Sequence, residues 1–148
     1  TAEALWIALR AGTYGCAPLF VAIAFGLDPR PQMLVVPLIG FTAGFGWAAF
    51  GITVAATMKS IDNFSYVISA VITPLFLVAG TFFPITGLPE WAQHLAQLNP
   101  LYHTVELVRH AAFGFDAGAD IVHVAALLVF GAAMWRLAIW RMTKRLVL

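Results

Sequence analysis

Long runs without Asp, Glu, Lys or Arg are the feature that most constrains what this chain can fold into. Such runs cover residues 11–27, 31–58, 63–89 and 121–135. A helix that rises about 1.5 Å per residue needs about 20 apolar residues to cross the roughly 30 Å hydrocarbon core of a bilayer. The runs therefore predict four transmembrane helices, at about residues 5–27, 33–57, 63–82 and 120–141.

The composition agrees with lipid as the main solvent. Hydrophobic residues make up 61% of the 148 and charged residues 10%, with a mean hydropathy of +0.89. A soluble domain of this size keeps much of its surface in water and could not bury so many apolar side chains. We therefore predict an all-α polytopic membrane protein in which residues 1–148 form a single transmembrane domain. Because the sequence opens at Thr1, without an initiator Met or a signal-peptide pattern, we expect further chain upstream.

The charge balance and the cysteine count exclude several classes of function. The formal net charge is +1, and no cluster of Lys or Arg stands apart from a predicted membrane flank. Nucleic acid is therefore not an expected partner, because phosphate binding needs several clustered cations. Cys16 is the only cysteine, which excludes an intrachain disulfide and a thiolate metal cluster.

The basic residues fall mainly on one side of the predicted topology. Lys and Arg accumulate on the cytoplasmic side of short loops, so their distribution predicts orientation. With the N-terminus inside, the outer side holds only Arg30 and Arg109. The inner side holds Arg10, Lys59, Arg136, Arg141, Lys144 and Arg145. We therefore predict that both ends of this chain are cytoplasmic, and we interpret the basic tail as a topology anchor, with a lipid-binding switch as the alternative.

Small residues and prolines predict how the spans pack and bend. The second span carries small residues on one helical face, where they allow the close helix packing that holds spans together in lipid. These residues are Gly40, Gly44, Ala48, Gly51 and Ala55. We expect this face to pack against another helix of the same chain, with dimerisation as the alternative. Pro18 and Pro74 predict kinks in the first and third spans.

Residues 81–119 are too apolar for a solvated loop and contain two short helix signals. The first helix is predicted over 88–98, with Pro89 in its first turn and an apolar stripe typical of an interfacial helix. The second begins at Asn99-Pro100 and ends before Gly114. About fourteen residues extend only about 21 Å, too little to cross the bilayer. We therefore predict a re-entrant helical hairpin that dips into the outer leaflet before the last span.

The second short helix carries an ionisable cluster: His103, Glu106, Arg109 and His110. Glu106 can reach Arg109 at i+3 and His110 at i+4, so structural pairing is the favoured interpretation. Charged groups at membrane depth are costly, and a direct role in substrate passage or gating is therefore the second interpretation. A metal site ranks last, because His-x-x-Glu-x-x-x-His offers three ligands without a recognisable second shell.

Several short motifs in order carry a resemblance to a known family. They are Phe82-Phe83-Pro84, Leu88-Pro89-Glu90-Trp91, Asn99-Pro100-Leu101, then Arg109 and Gly114, followed by a last span and a basic tail. The chain resembles the type-2 ABC transporter permeases, particularly the branch of nodulation-factor exporters and antibiotic-resistance permeases. The resemblance is strongest from about Val71 to Gly114. Tyr102-His103 adds an ionisable group whose role the resemblance does not assign.

The resemblance implies six spans, of which this chain holds the last four, with the first two upstream. It also implies a permease dimer in a bacterial inner membrane, bound to two cytoplasmic ATPase subunits. The chain has no G-x-x-x-x-G-K-[ST] loop, so ATP and Mg²⁺ are expected on the partner, and no cofactor or metal is expected here. By position, the expected ATPase-coupling residues are Glu3, Arg10, Lys59 and Asp62.

The leading hypothesis is a transport subunit, not an enzyme, that exports an amphipathic or lipid-linked molecule such as a glycolipid, an oligosaccharide or a hydrophobic drug. Hydroxyls of the second and third spans are candidates for the substrate path, although such groups often bond their own backbone. They are Thr42, Thr53, Thr57, Ser69 and Thr73. The alternatives are an intramembrane enzyme that uses His103, Glu106 and His110, and a non-transporting assembly subunit. H-E-x-x-H and G-x-S-x-G motifs are absent, which disfavours the enzyme.

Overall fold

The chain folds into helices throughout the residues that the structure, a computed structural model, describes: 2–58, 60–81, 85–87 and 89–147. Eight α-helices are present in these ranges. They are α1 (Ala2–Tyr14), α2 (Cys16–Ala24), α3 (Val36–Thr57), α4 (Ile61–Val67), α5 (Thr73–Val78), α6 (Glu90–Gln97), α7 (Pro100–Phe113) and α8 (Ala117–Val147). A 3₁₀ turn over Pro31–Val35 leads into α3, another covers Ile85–Gly87, and a π-helical turn over Ile68–Ile72 joins α4 to α5.

Within the described ranges, three helical stretches are long and apolar enough to cross a membrane: Ala2–Ala24, Pro31–Thr57 and Ala117–Lys144. They correspond to the first, second and fourth predicted spans. The third predicted span, 63–82, contains a shorter apolar helical stretch, Phe64–Val78. The all-α prediction is therefore confirmed for the described residues, and the fourth crossing stays a prediction.

Both prolines lie where the helices are irregular. Pro18 has no N–H to donate to the carbonyl four residues earlier, that of Tyr14, and its ring crowds that carbonyl. The first stretch is interrupted at this level, because α1 ends at Tyr14 and α2 begins at Cys16. Pro74 lies in the first turn of α5, just after the π-helical turn. Irregular turns of this kind occur where a proline interrupts the regular hydrogen-bond pattern of a helix.

Helix α3 lies at the centre and packs against α1, α7 and α8. The buried core joins α3 to α7 and α8. Its members are Val36, Ile39, Ala43, Leu107, Ala111 and Leu127. Many large apolar side chains point outward instead, among them Phe25 at 89% exposure and Leu34 at 82%. Such a surface is stable against lipid and would be an aggregation hazard in water.

Glycines let α1 and α3 approach closely. A Cβ atom added to Gly44 would lie 2.5 Å from the Cβ of Ala11, and one added to Gly40 would lie 3.1 Å from the Ala11 carbonyl oxygen. A Cβ added to Gly51 would meet no described atom within 4 Å. The expected packing of the small-residue face against a helix of the same chain is therefore confirmed at Gly40 and Gly44, and Gly51 lies beyond the contact.

We predict that Gly44→Leu destabilises the protein by about 1–3 kcal/mol, because the larger side chain would force α1 away from α3. The matched variant Gly51→Leu places the same side chain on the same helix in open space. It should keep a wild-type thermal midpoint in detergent, measured by fluorescence-detected size exclusion. Equal loss of stability in the two variants would contradict the close α1–α3 contact.

Candidate functional site

The start of α7 is fixed by Asn99. Its side-chain oxygen accepts a hydrogen bond from the Leu101 amide at 3.0 Å, which is the N-cap that the Asn-Pro sequence predicts. Its Nδ2 donates to the Leu75 carbonyl oxygen in α5 at 2.6 Å, and the residue is only 2% exposed. Asn99 therefore starts α7 and ties it to α5 at the same time.

Two arginines hold the rest of α7 against its surroundings. Arg109 Nη2 donates to the Gly80 carbonyl oxygen at 3.1 Å. Arg30, in the connection before α3, donates from Nη1 to the Phe113 carbonyl oxygen at 2.5 Å. Phe113 is the last residue of α7, and a cation at a helix C-terminus satisfies an otherwise unpaired carbonyl and the negative end of the helix dipole. Gly114 then ends the helix at φ +149°, as its position predicts.

A three-residue connection brings α8 back along α7. Asp116 Oδ1 accepts from the amides of Gly118 at 3.1 Å and Ala119 at 3.4 Å, which satisfies free N–H groups at the start of α8. The first two turns of α8 then place Asp120 and His123 against α7. The polar site is thus formed between two helices and not on α7 alone.

Two buried histidines meet across this contact. His103 Nδ1 lies 2.7 Å from His123 Nδ1, and His103 Nε2 lies 2.8 Å from the Gln97 carbonyl oxygen. A carbonyl only accepts, so His103 Nε2 carries a proton. In neutral His103 the Nδ1 atom is then the acceptor, and His123 Nδ1 donates to it. The pair therefore has a defined direction, and both rings cannot be fully protonated without losing this hydrogen bond.

The second half of the site is ionic. His110 Nδ1 lies 2.6 Å from Asp120 Oδ1, and His110 Nε2 lies 3.8 Å from Glu106 Oε2. Glu106 Oε1 pairs with Arg109 Nη1 at 2.5 Å. Asp120 Oδ2 is buried and has no hydrogen-bond partner among the described residues. When protonated, His110 therefore lies between two carboxylates, one on each helix.

Tyr102 packs beside the histidines. Its ring lies edge-on to His103, with centroids 5.4 Å apart, and to His123, with centroids 5.7 Å apart. Tyr102 thus covers the histidine pair.

The predicted cluster is partly brought together. Glu106 and Arg109 pair as the i, i+3 spacing indicates, but His110 contacts Asp120 more closely than Glu106, and His103 turns toward His123. Sequence reasoning missed Asp120 and His123. The sequence does carry a clue to them. Asp120 and His123 are polar residues spaced i, i+3 at the start of an apolar helix, and only a three-residue connection separates that helix from α7. No three His, Cys, Asp or Glu side chains in the described part of the chain converge as a metal site would require.

The predicted path hydroxyls on α3 bond their own backbone. Thr42, Thr53 and Thr57 each donate to the carbonyl oxygen four residues earlier, at 2.8, 2.9 and 2.8 Å. Ser69 lies in the π-helical turn and Thr73 begins α5, and both are exposed. A role for these five hydroxyls in a substrate path stays a prediction.

The predicted coupling residues lie partly outside the described set. Glu3 is exposed in the first turn of α1. Arg10 is exposed further along α1 and stacks over the Tyr14 ring, with its Cζ 5.4 Å from the ring centroid. Lys59 and the side chain of Asp62 lie outside the described residues. The coupling role of all four stays a prediction.

Comparison with known proteins gives one consistent relationship. The ABC-2 type transporter family matches over residues 2–113. The chain is 32% identical over 146 residues to nodulation protein J of Sinorhizobium fredii (strain NBRC 101917 / NGR234), covering 98% of this chain and 55% of that protein. It is 31% identical over 87 residues to the inner membrane transport permease YadH of Escherichia coli (strain K12), covering 59% and 34%. The chain spans about half the length of the nodulation proteins it matches, and no solved structure matches it.

We predict that Asp120→Ala destabilises the α7–α8 contact by about 1–3 kcal/mol, because it leaves His110 without its closest partner. Asp120→Asn keeps an acceptor for His110 but removes the charge, so its loss should be smaller. Thermal midpoints in detergent would rank the wild type first, Asn second and Ala last. A wild-type midpoint for Asp120→Ala would show that this pair contributes nothing to the fold.

Proposed function

Because the chain belongs to the ABC-2 type transporter family, we propose that it is the membrane part of an exporter that moves an amphipathic or lipid-linked molecule out of the cytoplasm. The observation that carries this proposal is the family match over residues 2–113, which includes two of the three candidate spans. Energy comes from a separate ATPase subunit, and a second permease copy completes the pathway.

The proposed topology places both ends of this chain in the cytoplasm. In its support, Glu3 and Ala4 of α1 line the same groove as Ala138 and Met142 of α8, so these two helix ends lie at one end of the bundle. Arg30 and Phe113 meet away from that groove. The excess of Lys and Arg at the C-terminal end of α8 supports the cytoplasm as the location of this end of the bundle. We propose that the ATPase docks there, against Glu3, Arg10 and the connection that holds Lys59 and Asp62.

We propose that α6 and α7 form a hairpin that enters the outer leaflet, and that 63–82 is a fourth crossing. Helix α7 has 14 residues, too few to span. Its N-cap, Asn99, is tied to Leu75 and its later Arg109 to Gly80, so α7 runs alongside α5 and the residues that follow it. In the proposed hairpin, the turn between α6 and α7 lies deepest and the end of α7 lies near the outer surface.

In this arrangement the ionic half of the site has two roles. Paired charges at membrane depth hold the hairpin against α8, since an unpaired charge there would be costly. Glu106 is 12% exposed through its side chain, and we propose that this carboxylate also contacts the polar headgroup of the transported molecule. The enzyme alternative gains no support, because His103 is engaged with Gln97 and His123 and so is not free to act as a base.

Co-purification tests the transport role. A tagged permease should retain an ATPase subunit, and hydrolysis by that complex should rise at least twofold when an amphipathic glycolipid is added. Detergent-matched samples without glycolipid provide the control. If no ATPase is recovered and the permease alone converts a substrate in a chelator-sensitive way, the enzyme alternative is correct.

Glu106→Gln tests the proposed contact with the cargo. We expect transport of a fluorescent glycolipid into inside-out vesicles to fall at least fivefold while the expression level stays within twofold of wild type. The control is Glu90→Gln, the same chemical change at an exposed position of α6, which should leave both quantities unchanged. Equal loss of transport and expression in Glu106→Gln would mean that Glu106 serves folding alone.

A further inference from the structure

The C-terminal turns of α8 carry an exposed surface that combines tryptophans with cations. Trp135 and Trp140 are 41% and 47% exposed, and Arg141 and Lys144 are exposed beside them. A groove of about 930 Å³ lies along this face. We call it the basic–aromatic groove; its lining includes Ala133, Trp135, Arg136, Leu137, Trp140 and Thr143.

Two cations beside this groove are positioned by an aromatic ring that lines it. Arg141 Cζ lies 5.0 Å and Lys144 Nζ 4.1 Å from the Trp140 ring centroid, both within the range of cation–π attraction. Trp140 therefore gathers two positive charges at one level of α8. Arg136 lies within the groove itself, about one turn nearer the middle of the helix.

These charges have no carboxylate partner among the described residues. In the described part of the chain, Arg136, Arg141 and Lys144 form no ion pair, and the sequence has no Asp or Glu after Asp120. The carboxylate of Glu3 belongs to the neighbouring groove with Ala138 and Met142. The groove thus presents net positive charge to whatever occupies it.

Charge and shape together point to an anionic phospholipid. We propose that the groove binds one such lipid, whose phosphate contacts Arg141, Lys144 and Arg136 and whose acyl chain lies over Ala133 and Leu137. About 10 Å of helix separates Leu137 from Lys144, which matches a headgroup level and an apolar level of one leaflet. The indoles then lie at the interface, where tryptophan is enriched.

Other occupants fit less well. A second copy of this chain that packed through the same face about a two-fold axis would bring identical cations together. A soluble ATPase subunit would reach the cations but not Ala133 and Leu137, which lie deeper along a membrane-spanning helix. An anionic lipid alone satisfies both the cations and the apolar floor. If the basic residues served only to fix the topology, their positive charge would be enough, and the protein would show no preference for one lipid headgroup over another.

The test is lipid selectivity of the intact permease, measured with spin-labelled lipids in phosphatidylcholine vesicles. We expect spin-labelled phosphatidylglycerol to associate about fivefold more strongly than spin-labelled phosphatidylcholine, since each basic residue near the surface favours anionic lipid. Arg141→Gln/Lys144→Gln should reduce this preference to below twofold. Raising the ionic strength should weaken the preference in the wild type, because salt screens exposed charges.

Two further variants distinguish lipid binding in the groove from two other causes of a lipid preference, a change of topology and the presence of any exposed cation. Trp140→Leu keeps every cation, and so keeps the topology signal, but should lower the preference about twofold by releasing Arg141 and Lys144 from the indole. Arg10→Gln removes one exposed cation from α1, which does not line the groove, and should leave the lipid preference at its wild-type value. A wild-type protein without lipid preference, or an unchanged preference in Arg141→Gln/Lys144→Gln, would overturn the proposal. Cross-linking from Thr143→Cys to another protein chain would also overturn it, because the groove would then hold protein.

Discussion

Lipid offers no hydrogen bonds, and the structure of α7 follows from that constraint. The helix is too short to cross and carries six polar side chains among apolar neighbours, and in the proposed hairpin these need partners within the protein. Asn99 bonds the backbone of α5, Arg109 bonds Gly80, and the two histidines bond Gln97, His123 and Asp120. Arg30 completes the last turn. Helix α7 is thereby held on several sides.

Helix α3 joins this polar region to the rest of the bundle. It packs against α1 through glycines at one level and shares a buried core with α7 and α8 at another. The small residues give close backbone contact where burial of large apolar groups gains little, because lipid is as apolar as they are. In the proposed exporter, α3 would therefore connect the end where the ATPase docks to the end where the hairpin enters the outer leaflet.

The sequence predicted the elements governed by local chemistry. Helix lengths, the Asn99 cap, the end at Gly114, the irregularities near Pro18 and Pro74 and the packing at Gly44 all depend on neighbouring residues or on helical periodicity. The pairing of His103 with His123 depends on how two helices are rotated against each other, which periodicity does not fix. The pairing of Asp120 with His110 is hidden for a related reason: in the sequence Asp120 lies at the edge of a predicted span, and only the three-residue connection brings it back to α7.

The depth of the α6–α7 turn tests the account most directly. With the single cysteine Cys16 replaced by Ser, spin labels can be placed at Leu98 in the turn, at Val129 on the exposed face of α8 and at Phe115 in the connection before α8. We expect the Leu98 label, like the Val129 label, to collide with oxygen more readily than with a water-soluble nickel chelate, and the Phe115 label to do the reverse. A Leu98 label that is mobile and as accessible to the chelate as the Phe115 label would contradict the re-entrant hairpin.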